Sequence, residues 1–232
     1  MLSCLFEFAV QAVPGRWTKT TRARVLQKWS ARLLSSIGVT IEVNGSLPEP
    51  GLIVSNHLSY LDILVFSAVA NCVFISKREV KSWPAIGWIS SFSGTIYIDR
   101  TRRTETHAIQ SEMQSALSNG TRLVLFPEGT SSDGSQVMHF HSSLFQPALD
   151  VGARITAAAI SYSISGGDAA REACYWGDMT LLPHLLNLLT KESVHATVKF
   201  SQQHLQFSDR KQAARTMRFE VERLRRASAA GL

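Results

Sequence analysis

Apolar positions along the chain recur first with a helical period and then with the spacing of strands. Between residues 18 and 37, Val25, Leu26, Trp29, Leu33 and Ile37 fall at helical spacing, with Arg22, Arg24, Lys28 and Arg32 between them. This predicts a basic amphipathic helix that closes near Gly38. Two readings of it stand side by side. The helix docks on a core with its charged face in water, or it lies in a headgroup layer, with Trp17 and Trp29 at the interface and the cations toward anionic lipid.

Short apolar runs follow, separated by helical stretches. Strands are expected at 39–43, Leu52–Ser55, 73–76, 95–99, 123–126, 155–163, 173–179 and 193–200. Helices are expected at 60–70, 84–91, Arg103–Ser118, Leu181–Leu189 and 209–228. Strands alternating with helices around one core predict an α/β fold, a layered mixed sheet flanked by helices, with the amphipathic helix at the N-terminal side. The leucine-rich 181–189 stretch reads as a core helix, with the border of an apolar tunnel as the sharper alternative.

Composition narrows the class. The 232 residues are 45% apolar and 18% charged, with no repeat, heptad run or Pro/Gly/Ser-rich tract. Disorder, coiled coil and solenoid readings drop out. The net charge of +6 asks for an anionic partner, and its distribution says more than its sum. Residues 1–40 carry +5, residues 209–232 carry +4, and the stretch between them carries −3. Three segments are therefore expected: an N-terminal basic amphipathic, membrane-interfacial helix at 1–40, a central domain at 41–208, and a C-terminal basic helix at 209–232.

Cys4, Cys72 and Cys174 are widely spaced and odd in number, which argues against a disulfide framework and fits a reducing compartment. No apolar run reaches the length of a transmembrane helix. The apolar stretch 2–13 contains Glu7 and lacks a signal peptide's charged start and cleavage pattern. The expected location is the cytoplasmic face of a membrane, held peripherally.

Three local patterns could carry chemistry. Ser55-Asn56-His57-Leu58-Ser59-Tyr60-Leu61-Asp62 sits where an apolar strand runs into a helix. A tight turn there can fold the Asp62 carboxylate back onto His57, fixing its tautomer and leaving Nε2 as a base for a substrate hydroxyl. A His with an Asp five positions on is also common by chance. Phe126-Pro127-Glu128-Gly129-Thr130 ends another apolar strand, and its turn offers N–H groups to an anion or oxyanion, although such a run is mostly just a turn. Gly94-Thr95-Ile96-Tyr97-Ile98-Asp99-Arg100 delivers Arg100 at a strand exit, for a phosphate or carboxylate or for a surface ion pair.

In this order, and with Lys77 and the 84–87 segment between them, the three patterns resemble the glycerolipid acyltransferase family, whose best-known members are the 1-acyl-glycerol-3-phosphate acyltransferases. The resemblance covers about residues 30–165. It implies the glycerol-3-phosphate acyltransferase-like form of the α/β fold and a one-step acyl transfer from acyl-CoA or acyl-carrier protein to the free hydroxyl of a lyso-lipid. The acceptor it implies first is 1-acyl-sn-glycerol-3-phosphate, giving phosphatidate in phospholipid biosynthesis. His57 is then the general base and Asp62 its orienting partner. Asn56, Ser59, Lys77, Gly94, Arg100, Glu128, Gly129 and Thr130 are the expected substrate-binding residues, with Arg100 on the acceptor headgroup. The resemblance implies no metal and no redox cofactor.

Departures from the family pattern bear on the acceptor. Ser131 and Ser132 stand where an Arg-Ser often follows Gly-Thr, Phe140-His141 replaces a Phe-Lys, and Ala157 occupies a frequent Pro position. The run Phe126-Pro127-Glu128-Gly129-Thr130-Ser131-Ser132-Asp133-Gly134 and the later Tyr175-Trp176-Gly177-Asp178-Met179 look like the lyso-ornithine-lipid acyltransferase branch, whose acceptor is an aminolipid without phosphate. A rival from another class is a non-catalytic lipid- or carrier-binding module that kept the fold. His139 and His141 share one strand face without a third ligand in sight, which is weak support for a metal. No nucleic-acid motif accompanies the charge, so nucleic acid is not an expected partner.

Overall fold

The computed structural model of the chain describes residues 19–82, 87, 90, 91, 94–98 and 103–229. Seven strands form one sheet: β1 (Val39–Asn44), β2 (Leu52–Ser55), β3 (Val73–Lys77), β4 (Ile96–Ile98), β5 (Leu123–Leu125), β6 (Ile155–Ile164) and β7 (Val194–Phe200). Their order across the sheet is β1-β7-β6-β2-β5-β3-β4. β6, β2, β5, β3 and β4 run parallel, and the antiparallel β6–β7 pair reverses the outer β7 and β1. The mixed α/β sheet expected from the pattern is thus present. The helices are α1 (Lys19–Ser36), α2 (Leu61–Val69), α3 (Arg103–Ser118), α4 (Gln146–Asp150), α5 (Ala169–Glu172), α6 (Leu181–Leu189) and α7 (Arg210–Ala229).

The four residues of β2 are all buried, as a parallel strand covered on both faces requires. Alternate side chains of the central strands feed two apolar layers. Leu52, Val54, Ile75, Leu123, Leu125, Ala157 and Ala159 meet α3 and α7 on one side, and Ile53, Phe74, Val124, Ala158 and Ile160 meet α1 and α2 on the other. The alanines of β6 let α7 approach closely through Ala213, Ala214, Met217 and Val221.

The two basic helices, α1 and α7, are therefore part of the packing. Ala23, Leu26, Trp29 and Leu34 of α1 are buried, while Arg24, Lys28 and Arg32 are exposed. α1 is docked on the core, and Trp29 is buried there. Trp17 lies outside the described residues.

Three other expectations change. The 173–179 segment is not a strand. Asp168 caps α5 by accepting from the Ala170 N–H, and Trp176 Nε1 then donates to the Ala170 carbonyl at 2.9 Å, folding the segment back on the helix. The leucine-rich α6 is not a core helix: it buries only His184 and Leu188 and leaves Leu182 65% and Leu186 57% exposed. The short 3-10 turns Arg78–Ser82 and Ser142–Phe145, with α4 and α5, had no sequence reading because elements of four or five residues carry too few apolar repeats. The helix expected at 84–91 falls mostly outside the described residues.

Candidate active site

β2, β5, β3 and β4 point the same way, and their carboxyl ends open onto one crevice, where open α/β sheets place ligands. His57 follows β2, the 128–130 turn follows β5, and Lys77 closes β3. A cavity of about 280 Å³ is lined by these elements together with Ile63, Tyr175 and Trp176. A second one of about 110 Å³ adjoins it, sharing His57, Ser76 and Tyr175, with the apolar Ile63, Leu64 and Phe74 in its wall.

His57 is held on every side but one. Its Nδ1 lies 2.7 Å from Asp62 Oδ2, which also accepts the backbone N–H groups of Leu58 at 2.7 Å and Ser59 at 3.1 Å. Tyr162 on β6 donates its hydroxyl to Asp62 Oδ1 at 2.6 Å. Burial, then the adjacent Asp62 carboxylate, push the Tyr162 phenol well above its ordinary range, so it remains a donor. With three other donors already converging on the acceptor oxygens of Asp62, Nδ1 carries the proton of the His57–Asp62 bond. Nε2 is left with its lone pair. The imidazole also stacks on Phe126, ring centroids 4.4 Å apart and planes 16° from parallel, and the Ser132 N–H holds the His57 carbonyl at 3.0 Å.

The other expected residues occupy different places around this pair. Asn56 is buried, and its amide is spent on β6: Nδ2 donates to the Ile160 carbonyl and Oδ1 accepts the Ile160 N–H, both at 2.9 Å. It braces the loop instead of facing the cavity. Ser59 serves through its backbone N–H, its hydroxyl being buried without a partner among the described residues. Lys77, Gly129 and Thr130 line the cavity. Gly129 sits at φ +71°, a turn conformation that favours glycine. Gly94, at φ +77°, precedes β4 and does not line the larger cavity. Arg100 lies outside the described residues.

Glu128 is 4% exposed, and neither carboxylate oxygen makes a well-formed hydrogen bond among the described residues. Burial pushes its pKa up to about 8, against the opposing pull of the nearby His57 and Met138 backbone groups. The folded chain therefore keeps a proton that the unfolded chain loses near 4.5, and stability declines as pH rises from there to about 8. Glu128→Gln is expected to melt within a degree or so of wild type at pH 5 and about 3 °C or more above it at pH 8. Equal melting shifts at the two pH values in a thermal denaturation series would contradict this burial of a neutral acid.

Pattern reading missed Phe126 as the support beneath the imidazole, and it missed Tyr162 and His184. Phe126 stood in the quoted run but read only as a strand end. His184 Nε2 donates to the Cys174 carbonyl at 2.9 Å, and its Nδ1 meets the Tyr60 hydroxyl at 3.1 Å, tying α6 to the wall of the smaller cavity. Burial holds its pKa below the usual imidazole range. Ser131, where the family often has Arg, donates to the Tyr175 carbonyl and so closes the 128–132 loop onto the 175–177 segment.

The family model described as Acyltransferase matches residues 38–161. The lyso-ornithine lipid O-acyltransferase of Pseudomonas aeruginosa is 37% identical over 188 residues, 80% of this chain and 72% of that protein. The protein of the same name from Brucella abortus is 37% identical over 210 residues, 84% of this chain and 79% of its own length. A 1-acyl-sn-glycerol-3-phosphate acyltransferase of Neisseria meningitidis is 32% identical over 183 residues, 78% of this chain and 71% of that protein. The crystal structure of the 1-acyl-sn-glycerophosphate acyltransferase PlsC from Thermotoga maritima superposes with a TM-score of 0.70 at 20% identity, covering 98% of this chain and 87% of that one, a likeness of fold. A match over more than half of the length, backed by relatives spanning over two thirds of theirs, makes this chain a member of the acyltransferase family.

Proposed function

We propose that this acyltransferase moves a fatty acyl group from a thioester to the free hydroxyl of a lyso-lipid, working at a bilayer surface. The observation that carries the reading is His57: its Nδ1 is committed to Asp62 and its ring lines the cavity, which leaves Nε2 to take a hydroxyl proton. The substrate oxygen attacks the thioester carbonyl as its proton passes to Nε2. The tetrahedral adduct expels the thiolate, which takes that proton back, giving an ester and a free thiol. His57 and Asp62 are the catalytic residues of this step. Lys77, Gly129 and Thr130 border the acceptor, and the apolar smaller cavity suits the start of an acyl chain.

For the acceptor we favour an aminolipid of the lyso-ornithine type. Ser131 supplies no cation where a phosphate-binding Arg is frequent, and the Pseudomonas and Brucella relatives carry that activity in their names. Lysophosphatidate is the second reading, favoured by Lys77 on the cavity wall and by the Neisseria relative. For the donor, a groove of about 970 Å³ lined by Lys211, Arg215 and Arg218 of α7 suits an acidic carrier protein, with coenzyme A as the alternative. The exposed cations of α1 support contact with an anionic leaflet.

The test is purified protein with acyl-carrier protein or coenzyme A thioesters and a panel of lyso-lipids, run beside His57→Ala. Product from lyso-ornithine lipid that disappears in the variant is the expected result. A preference for lysophosphatidate selects the second reading, and no His57-dependent product with any acceptor overturns the proposal. In the same assay Tyr162→Phe should lower kcat about tenfold with KM unchanged, because it removes one hydrogen bond to the group that orients the base. A change confined to KM would place Tyr162 in substrate binding instead.

A further inference from the structure

We propose that α6 and Trp176 form the face that dips into the acyl layer of the membrane, beside the mouth of the active site. The proposal rests on the lyso-lipid reading for its occupant. Leu182, Leu186 and Leu189 are 65%, 57% and 40% exposed, at positions i, i+4 and i+7 of one helix. At 3.6 residues per turn they fall within an arc of about 60°. His184 and Leu188 point the opposite way, into the protein. The helix has no Asp, Glu, Lys or Arg anywhere in its nine residues. A fully solvated helix does not present an uncharged leucine stripe, and an exposed apolar patch of this kind marks a contact.

Trp176 connects the stripe to the chemistry. It precedes α6 by one turn, with the Met179 N–H bonded to its carbonyl at 3.3 Å. Its ring is 38% exposed, its indole N–H is satisfied within the protein, and it lines the cavity that holds His57. A tryptophan with its polar atom engaged and its ring open suits the boundary between headgroups and chains. The His184 bonds to Cys174 and Tyr60 fix α6 against the cavity wall, so a leaflet meeting the leucines also meets the cavity mouth. The occupant is lipid because the acceptor is an amphiphile whose chain lies in a leaflet, and because Trp176, which belongs to this face, also lines the cavity that must receive it. Among the described residues nearby, the cations have acidic partners, Lys191 with Glu172 and Arg171 with Asp168, and Asp178 and Glu192 are acidic, so charge gives little hold. Contact through this face is apolar and persists in salt, unlike any contact made by the cations of α1.

The experiment is flotation of the full chain with phosphatidylcholine vesicles in about 0.5 M NaCl, where charge attraction is screened. Wild type should float, and Leu182→Glu with Leu186→Glu should lower its vesicle partition at least tenfold. Phe219→Glu, which removes an apolar side chain 68% exposed on α7, should leave partition unchanged. Turnover of a short-chain, monomeric lyso-lipid by the leucine double variant, equal to wild type, shows that it is folded. Unchanged partition in the double variant, or an equal loss in Phe219→Glu, overturns the docking face. So does gel filtration showing a wild-type dimer that the leucine substitutions split, since the stripe then covers a second copy of the chain. Absent turnover in wild type with every acceptor counts against the lyso-lipid reading alone, whatever the flotation shows.

Discussion

His57→Ala is expected to lower kcat for acyl transfer by about 10³-fold, within the range for loss of a positioned general base, while leaving a folded protein. The fold should tolerate the change because Asp62 Oδ2 keeps the Leu58 and Ser59 N–H groups and Oδ1 keeps the Tyr162 hydroxyl. What disappears is the ring that stacks on Phe126 at the cavity wall. Single-turnover kinetics with saturating donor, beside a melting curve, separate the two effects. A variant that melts with wild type and retains more than about a tenth of its kcat would show that the proton goes elsewhere.

The second large effect falls on Asp62, and here two substitutions pull apart what one would confuse. Asp62→Ala leaves three backbone and side-chain N–H donors and one hydroxyl, converging on a fully buried position, without an acceptor. Each unsatisfied buried group is worth about 1–3 kcal/mol, so this variant should lose several kcal/mol of stability and much of its folded yield. Asp62→Asn keeps the shape and one acceptor oxygen. Its amide oxygen can take the Oδ2 position and its NH₂ can face Tyr162, whose hydroxyl then turns to accept. Stability should fall by only about 1–3 kcal/mol, as charge-assisted bonds become neutral ones. Activity should still drop about 10²-fold or more, because the imidazole tautomer is no longer set by a carboxylate. If the residues act as one unit, His57→Ala with Asp62→Asn will be little slower than His57→Ala alone. Full multiplication of the two losses would separate their roles.

How much of this could be read beforehand depends on how far apart in the chain the partners lie. The His57–Asp62 contact was legible because four residues at a strand-to-helix junction suffice to close it. Tyr162, which completes the same carboxylate, is a hundred positions away and carries no motif. Asn56 reads as a substrate-binding residue in the pattern, but its partner Ile160 is supplied by sheet topology, so its bracing role carries no signal in the sequence. The stretches 52–54, 73–75 and 123–125 announced themselves as short uninterrupted apolar runs, since burial on both faces leaves no polar positions there. Periodicity alone misled at α6, where a leucine repeat says that a helix is apolar without saying which side is covered. At 173–179 it took an irregular segment, pinned by Trp176 to α5, for a strand.

The Asn56 amide has one more consequence. β2 ends at Ser55, while β6 runs on past it, leaving the Ile160 peptide groups facing the space where a further residue of β2 would bond. Asn56 fills that space with a side chain that imitates a peptide unit, donor and acceptor both in place. The ladder thus gains a rung without holding the main chain extended, and the backbone is free to turn at the very next residue. His57 is thereby cantilevered from a central strand: its loop begins inside the sheet's own bonding lattice, so the base is anchored one residue from a hydrogen-bonded rung of the ladder.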